Sequence, residues 1–234
     1  MNIVLAGGDG TRWGNYLGAP KQFIKIDDEP IIYRLIRLLE ENGVKDLVVV
    51  VPVDGRFPEV PCDREVTLHN ECEIDRIYGS RHVMVSGGCN TFFFGDVYYT
   101  EEAVRTILQD KSDLKFFGRL EKNPRTGKDM PECFGVRTYG RSIIRYVEEI
   151  RRMYLSSPKL IRRCVVLDLY KLMLHMMDGK KPEEFDGLPF FFYTPRSEYF
   201  VEINDWTDDF DIPEQYDMFI KRWNAKNAEL VVNM

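Results

Sequence analysis

With 234 residues, 44% of them hydrophobic and 30% charged, the chain can bury one substantial core and is too apolar to be disordered. A formal charge of −6 excludes a general nucleic-acid binder, which needs a clustered cationic face. Five cysteines (Cys62, Cys72, Cys89, Cys133, Cys164) without C-x-x-C spacing read as reduced thiols. With no basic leader before the first strand and no 18-residue apolar run, the expected setting is cytoplasmic with no membrane partner.

Asn2 to Ala6 is an apolar run that stops at Gly7-Gly8-Asp9-Gly10, as a buried strand feeding a glycine-rich loop does. Pro30 to Asn42 spaces Ile31, Ile32, Leu35, Ile36, Leu38 and Leu39 along one helical face, with Pro30 suited to a first turn and Gly43 to the stop. Leu47 to Val51, closed by Pro52, reads as a strand buried on both faces. These pieces spell a β–loop–α–β unit, which the handedness rule makes right-handed and parallel. Val66 to Leu68 is a weaker strand and Ile74 to Tyr78 a short helix.

Thr91 to Phe94 is a central strand ending in Gly95-Asp96, after which Thr100 caps a helix to about Leu108 with Glu101 and Glu102 in its first turn. Leu114 to Leu120 and Cys133 to Thr138 are two further strands, and the polar stretch Glu121 to Pro131 between them is expected to cross the surface as a loop. Arg141 to Tyr154 and Lys159 to Met177 are helices divided by Ser157-Pro158. Phe190 to Tyr193 and Tyr199 to Ile203 are strand-like, and a last helix runs from Pro213 to about Asn224. With no repeat or linker, the pattern predicts one α/β domain over 1–234, built on a Rossmann-like mixed sheet with an inserted subregion.

The chemistry concentrates in Leu5-Ala-Gly-Gly-Asp-Gly-Thr-Arg-Trp-Gly14, followed by Pro20-Lys21. Gly7, Gly8 and Gly10 let successive N–H groups turn toward phosphate oxygens at close range. Arg12 adds a planar fork of donors and Lys21 a point charge. Glycine-rich turns also occur without a ligand, so spacing has to decide. No Lys follows the glycines as a Walker loop requires, and Trp13 stands where a dinucleotide fingerprint needs Gly or Ala.

The run Leu5 to Gly14 with Pro20-Lys21 resembles the opening of the nucleotidyltransferase superfamily, which has sugar-phosphate, phosphocholine and molybdenum-cofactor (MobA-like) members. The resemblance implies a GT-A-like fold, a mainly parallel mixed sheet with an acceptor-binding insertion. It implies that Leu5, Ala6, Gly7 and Gly8 hold base and ribose, that Gly10, Thr11 and Arg12 hold the phosphates, and that Lys21 lies near the α-phosphate. Residues 1–110 would then form the nucleotide-binding half and 111–234 the acceptor-binding, closing half. A second nucleotide-contacting segment would fall at Arg76, Ser80 and Arg81.

Nucleotidyl transfer calls for Mg²⁺ at the phosphates, and a hard cation takes carboxylate oxygens from strand ends facing the loop. Asp96 closes the run Phe92-Phe-Phe-Gly-Asp, and with Thr100 already supplying the cap it is the first candidate ligand. The family's central strand likewise ends in Gly-Asp. The resemblance implies a second carboxylate in the turn opening the last helix, where Asp211-Ile-Pro-Glu-Gln-Tyr216 has Ile and Gln in place of the commoner Thr and Asp. Glu202, Asp205, Asp208 and Asp209 crowd the same stretch, and so many carboxylates cannot ionise in one pocket unaided. Asp211 is the first choice and Asp205 the second. Arg119, after Leu114 to Gly118, is the candidate acceptor contact, while Arg125 and Lys128 read first as solvated loop cations and second as part of a loop that closes over the acceptor.

The expectation is therefore a Mg²⁺-dependent enzyme whose catalytic residues are Lys21, Arg12 and Asp96. It would move a nucleoside monophosphate from an NTP, CTP or UTP, to a sugar phosphate or small alcohol phosphate, releasing pyrophosphate, with no nucleic-acid partner. A glycosyltransferase using a nucleotide sugar is one alternative, although Asp209-Phe-Asp211 comes too late in the chain for its D-x-D motif. A non-catalytic nucleotide-binding module, binding NTP without turnover, is another.

Overall fold

The computed structural model describes the chain apart from residues 9, 11, 15, 53–56, 68–72, 129, 157–164, 186–197 and 233–234. In chain order its elements are β1 (Asn2–Leu5), β2 (Lys25–Ile26), β3 (Glu29–Pro30), α1 (Ile31–Glu41), β4 (Leu47–Pro52), β5 (Asp63–Thr67) and α2 (Glu73–Gly79). There follow β6 (Cys89–Phe94), β7 (Val97–Tyr98), α3 (Glu101–Gln109), β8 (Leu114–Arg119), β9 (Glu132–Tyr139), α4 (Ile144–Ser156), α5 (Val166–Met177), β10 (Phe200–Glu202), β11 (Asp208–Asp209) and α6 (Pro213–Val232).

The main sheet has the order β10-β8-β9-β6-β1-β4-β5, with β9 antiparallel to both of its neighbours and every other pairing parallel. This is the mixed, mainly parallel α/β sheet expected. β1 lies between β4 and β6, and its Ile3, Val4 and Leu5 are wholly buried, which is why that strand is apolar without alternation. α1 turns Ile32, Leu35, Ile36 and Leu39 into the same core. Pro30 stands one position outside α1, because its ψ of 134° is extended. The helix stops where the Asn42 amide donates to the Leu38 carbonyl at 2.8 Å and Gly43 adopts φ +80°. Thr100 caps α3 as its sequence predicts, its hydroxyl oxygen accepting from the Ala103 N–H at 3.1 Å.

A second apolar cluster joins Trp13, Ile24, Ile26, Ile31, Tyr98, Phe210 and Phe219, with Trp206, Tyr216 and Trp223 packed around it. It seats α6 on the glycine-rich loop. With no proline or glycine after Pro213 to stop it, α6 runs on to Val232, past the expected Asn224. Phe190 to Tyr193 and the start of the helix expected at Lys159 lie outside the described residues.

The stretch Glu121 to Pro131 departs from expectation. It is a loop, yet Asn123, Thr126 and Lys128 are buried. The cause is Asp208, a buried carboxylate that must be hydrogen-bonded. It accepts from the Thr126 hydroxyl and, at 3.1 Å, from Arg119, while the Asn123 amide donates to the neighbouring Asp205 carbonyl at 3.1 Å. No described helix is long and apolar enough to cross a membrane.

Candidate active site

Leu5 and Phe94 are register partners at the ends of β1 and β6, so the glycine-rich loop and Gly95-Asp96 leave the sheet side by side at its carboxyl edge. Parallel sheets place ligands at that edge. The Gly95 N–H donates to the Leu5 carbonyl at 2.9 Å, and a Cβ at Gly95 would come 3.1 Å from that of Ala6. Glycine is favoured there by the close approach of two chain segments, and the space beside it is taken by Ala6.

Past β1 the loop turns through Gly10 at φ +63°, and the Trp13 N–H returns to the Gly10 carbonyl at 2.8 Å. The Trp13 indole N–H donates to the carbonyls of Tyr16 and Ala19, both at 3.2 Å, pinning the loop onto the second apolar cluster. Leu5, Ala6 and Gly7 are buried, and Gly8 and Gly10 are half-buried at the rim. Thr11 lies outside the described residues.

Pro20 then opens a single 3-10 turn, Lys21–Phe23, with the Phe23 N–H on the Pro20 carbonyl at 2.8 Å. Buried Gln22 ties this turn to the loop by donating its amide to the Ala6 carbonyl at 3.1 Å. Lys21 is thereby delivered to Asp96, with Nζ 2.5 Å from Oδ2. From the other side Arg76 of α2 brings Nη1 to 3.9 Å of the same oxygen. Burial would raise the Asp96 carboxyl, but the charges of Lys21 and Arg76 and the hydrogen bond from Lys21 outweigh it and bring its pKa down to about 2. The Arg76 guanidinium lies over Gly8, where a Cβ would meet Nη2 at 2.8 Å, and its buried Nε has no hydrogen-bond partner among the described residues.

The acidic stretch before α6 sorts by geometry. β11 pairs antiparallel with β7, setting Asp209 opposite Val97, the residue after Asp96. Glu132, Asp209 and Asp211 bring one carboxylate oxygen each within 4.8 Å of one another. Asp96 is not one of the three. Asp205 is spent elsewhere, accepting from the Thr100 hydroxyl and from the Thr207 N–H at 2.7 Å. Of the two sequence candidates, Asp211 is the one that joins a carboxylate group.

Arg12, its side chain 63% exposed, reaches across the mouth to Asp211, with Nη2 2.7 Å from Oδ1. Lys128 is enclosed by the acids instead of being solvated, 2.8 Å from Glu132 Oε1 and hydrogen-bonded to Asp209 Oδ1. Asp209 and Glu132 raise the Lys128 pKa against the effect of burial. Burial and the Asp209 charge push the Glu132 carboxyl well up.

Arg119 corrects its assignment as an acceptor contact. Its side chain is 0% exposed, and its guanidinium pairs with Asp208 and donates to the Glu121 carbonyl at 3.0 Å. It braces the loop from within and has no surface to offer a substrate. The sequence reading did not single out Gln22 or Glu132, and it named Asp209 only within a crowd of acids and Lys128 only as a loop cation. Glu132 and Lys128 stand four positions apart, but what gathers them at the site is Asp209, 81 positions from Lys128.

Comparison with known proteins bears on the family and the fold. The family described as MobA-like NTP transferase domain matches residues 2–80. The 2-C-methyl-D-erythritol 4-phosphate cytidylyltransferase of Leptospira interrogans is 28% identical over 114 residues, which is 47% of this chain and 47% of that protein. The chain thus spans about half the length of this curated relative. Among solved structures, the CTP:phosphocholine cytidylyltransferase of Streptococcus pneumoniae is similar over 94% of this chain and 97% of its own, at TM-score 0.52 and 15% identity. A Bacillus anthracis protein assigned as a glucose-1-phosphate thymidylyltransferase is similar over 94% and 93%, at TM-score 0.59 and 12% identity. Residues 2–80 thus match the MobA-like NTP transferase domain, and the α/β fold resembles that of solved nucleotidyltransferases.

Proposed function

We propose that the chain is a nucleotidyltransferase that moves a nucleoside monophosphate from an NTP to a small phosphorylated acceptor. The observation that carries the reading is the buried Lys21–Asp96 pair at the mouth of the glycine-rich loop, with Arg76 beside it. An acceptor phosphate oxygen forms the new bond to the α-phosphorus while the bond to the bridging oxygen breaks, and pyrophosphate leaves with that electron pair. No side-chain nucleophile is needed. The chain's part is positioning and charge stabilisation.

Lys21 and Arg76 present cations to the triphosphate at Gly8, and Gly7, Gly8 and Gly10 let it approach the backbone. Thr11 would serve the phosphates with Gly10, and Arg12 would turn to them from Asp211. Residues 1–110 would serve the nucleotide and 111–234 the acceptor. CTP is favoured over UTP, because cytidylyltransferases stand among the relatives in both sequence and structure. A sugar phosphate or small alcohol phosphate is the acceptor class.

Glu132, Asp209 and Asp211 offer carboxylate oxygens only, which fits a small hard divalent ion, and Asp211 is the sequence candidate among them. Asp96 and Asp211 would hold Mg²⁺, with Asp209 brought near by its register with Val97. When bound, Mg²⁺ offsets charge on the phosphate oxygens. The test is pyrophosphate release with each of four NTPs against a panel of sugar and alcohol phosphates, with and without EDTA. NTP binding without turnover on any acceptor would instead favour a regulatory module, and hydrolysis of a nucleotide sugar a glycosyltransferase. The setting we propose is the cytoplasm.

A further inference from the structure

Lys128 lies at the centre of an arrangement that the proposed reaction leaves unexplained. Its side chain is 4% exposed, and its ammonium is held by Glu132 Oε1 at 2.8 Å and by Asp209 Oδ1. Those carboxylates and that of Asp211 have oxygens within 4.8 Å of one another, a spacing a divalent ion could bridge. The loop delivers Lys128 there deliberately. Thr126 and Arg119 both bind Asp208, the residue preceding Asp209, and Arg222 of α6 donates to the carbonyls of Pro124 and Arg125 at 3.3 and 3.2 Å. The ammonium is thus committed to a carboxylate on each of two sides.

We propose that Lys128 is a tethered cation occupying what would otherwise be a second divalent-metal position between Glu132 and Asp209. It fixes those two carboxylates and leaves Asp211, whose partner is the exposed Arg12, as the acid of the three available to an incoming ion. The inference builds on the proposed function for its one exchangeable ion. Its own content is the difference in metal count between the native chain and a chain lacking the ammonium.

The experiment compares the native protein with Lys128→Met, which keeps the stem and removes the charge. Bound Mn²⁺ is counted by electron paramagnetic resonance, and thermal midpoints are read in EDTA and in millimolar Mn²⁺. The variant is expected to bind one more Mn²⁺ per chain than the native protein, and Mn²⁺ is expected to raise its midpoint more. Lys128→Arg, which restores a cation, is expected to return the native count. An equal count in native and Lys128→Met protein overturns the inference, as does a raised acceptor KM with no change in count. If Lys128→Met is unfolded in EDTA, recovery on adding Mn²⁺ supports the tethered-cation role, and failure to recover overturns it. A native protein that binds no Mn²⁺ and releases no pyrophosphate refutes the proposed function instead, while the one-ion difference still tests Lys128.

Discussion

Lys21 Nζ lies 2.5 Å from Asp96 Oδ2, joining two residues 75 positions apart at the carboxyl edge of β1 and β6. The pair holds the site's central carboxylate ionised before any substrate arrives. Lys21→Met and Asp96→Asn are each expected to lower the rate of pyrophosphate release by about 10²-fold or more, the scale seen when one preorganised charge-stabilising group is removed. Either variant retaining near-native turnover with intact folding refutes the assignment.

The same carboxyl predicts an acid limb of stability. Its folded pKa of about 2 lies below the ordinary carboxylate value of about 3.9, so the unfolded chain binds this proton more readily. The stabilisation is complete above about pH 4 and fades as pH falls toward about 2, a change of about 2 kcal/mol. Urea unfolding of native and Asp96→Asn protein from pH 5 to pH 2 should show the stability difference between them shift by that amount. A difference independent of pH shows that Asp96 is not held ionised.

Arg119 separates structure from substrate binding. Arg119→Met leaves Asp208 buried without its cation and is expected to cost about 3–5 kcal/mol in unfolding free energy. At temperatures where the variant stays folded, the acceptor KM should match the native value. A raised KM with unchanged stability would return Arg119 to the acceptor site.

Gly8 tests whether Arg76 faces the nucleotide. Gly8→Ala places a methyl 2.8 Å from Arg76 Nη2, the mobile end of a side chain, so the variant should fold normally with its guanidinium displaced. NTP binding is expected to weaken about tenfold, the equivalent of about 1.4 kcal/mol, measured by calorimetry. Unchanged affinity means that the guanidinium does not contact the phosphates.

Gly118→Ala probes the edge where β8 and β9 slip register. A Cβ there would come 2.1 Å from the Glu132 carbonyl oxygen, a backbone atom that cannot swing away. Overpacking of this kind is expected to cost about 1–3 kcal/mol, read as a lowered midpoint in urea. A midpoint equal to that of the native chain would show that the two strands part without cost.

By itself the amino-acid sequence determined the alternation of elements, the glycine-rich loop with Lys21, the strand end at Asp96 and the capping of α3 by Thr100. Each is written within a few residues, as an apolar run, a helical spacing or a cap three positions from its partner. Even Lys21 and Asp96 are legible separately, because each follows a local signal, and the parallel pairing of β1 with β6 then brings them together. Only the tertiary structure decided which carboxylates gather and which basic residues are buried. Asp211 joins Glu132 and Asp209, Asp205 turns to Thr100, Arg119 goes inward to Asp208, and Lys128 is enclosed by acids. The reason is physical. A buried charge is placed by partners that satisfy it, and for these residues most of those partners stand some 80 to 105 positions away.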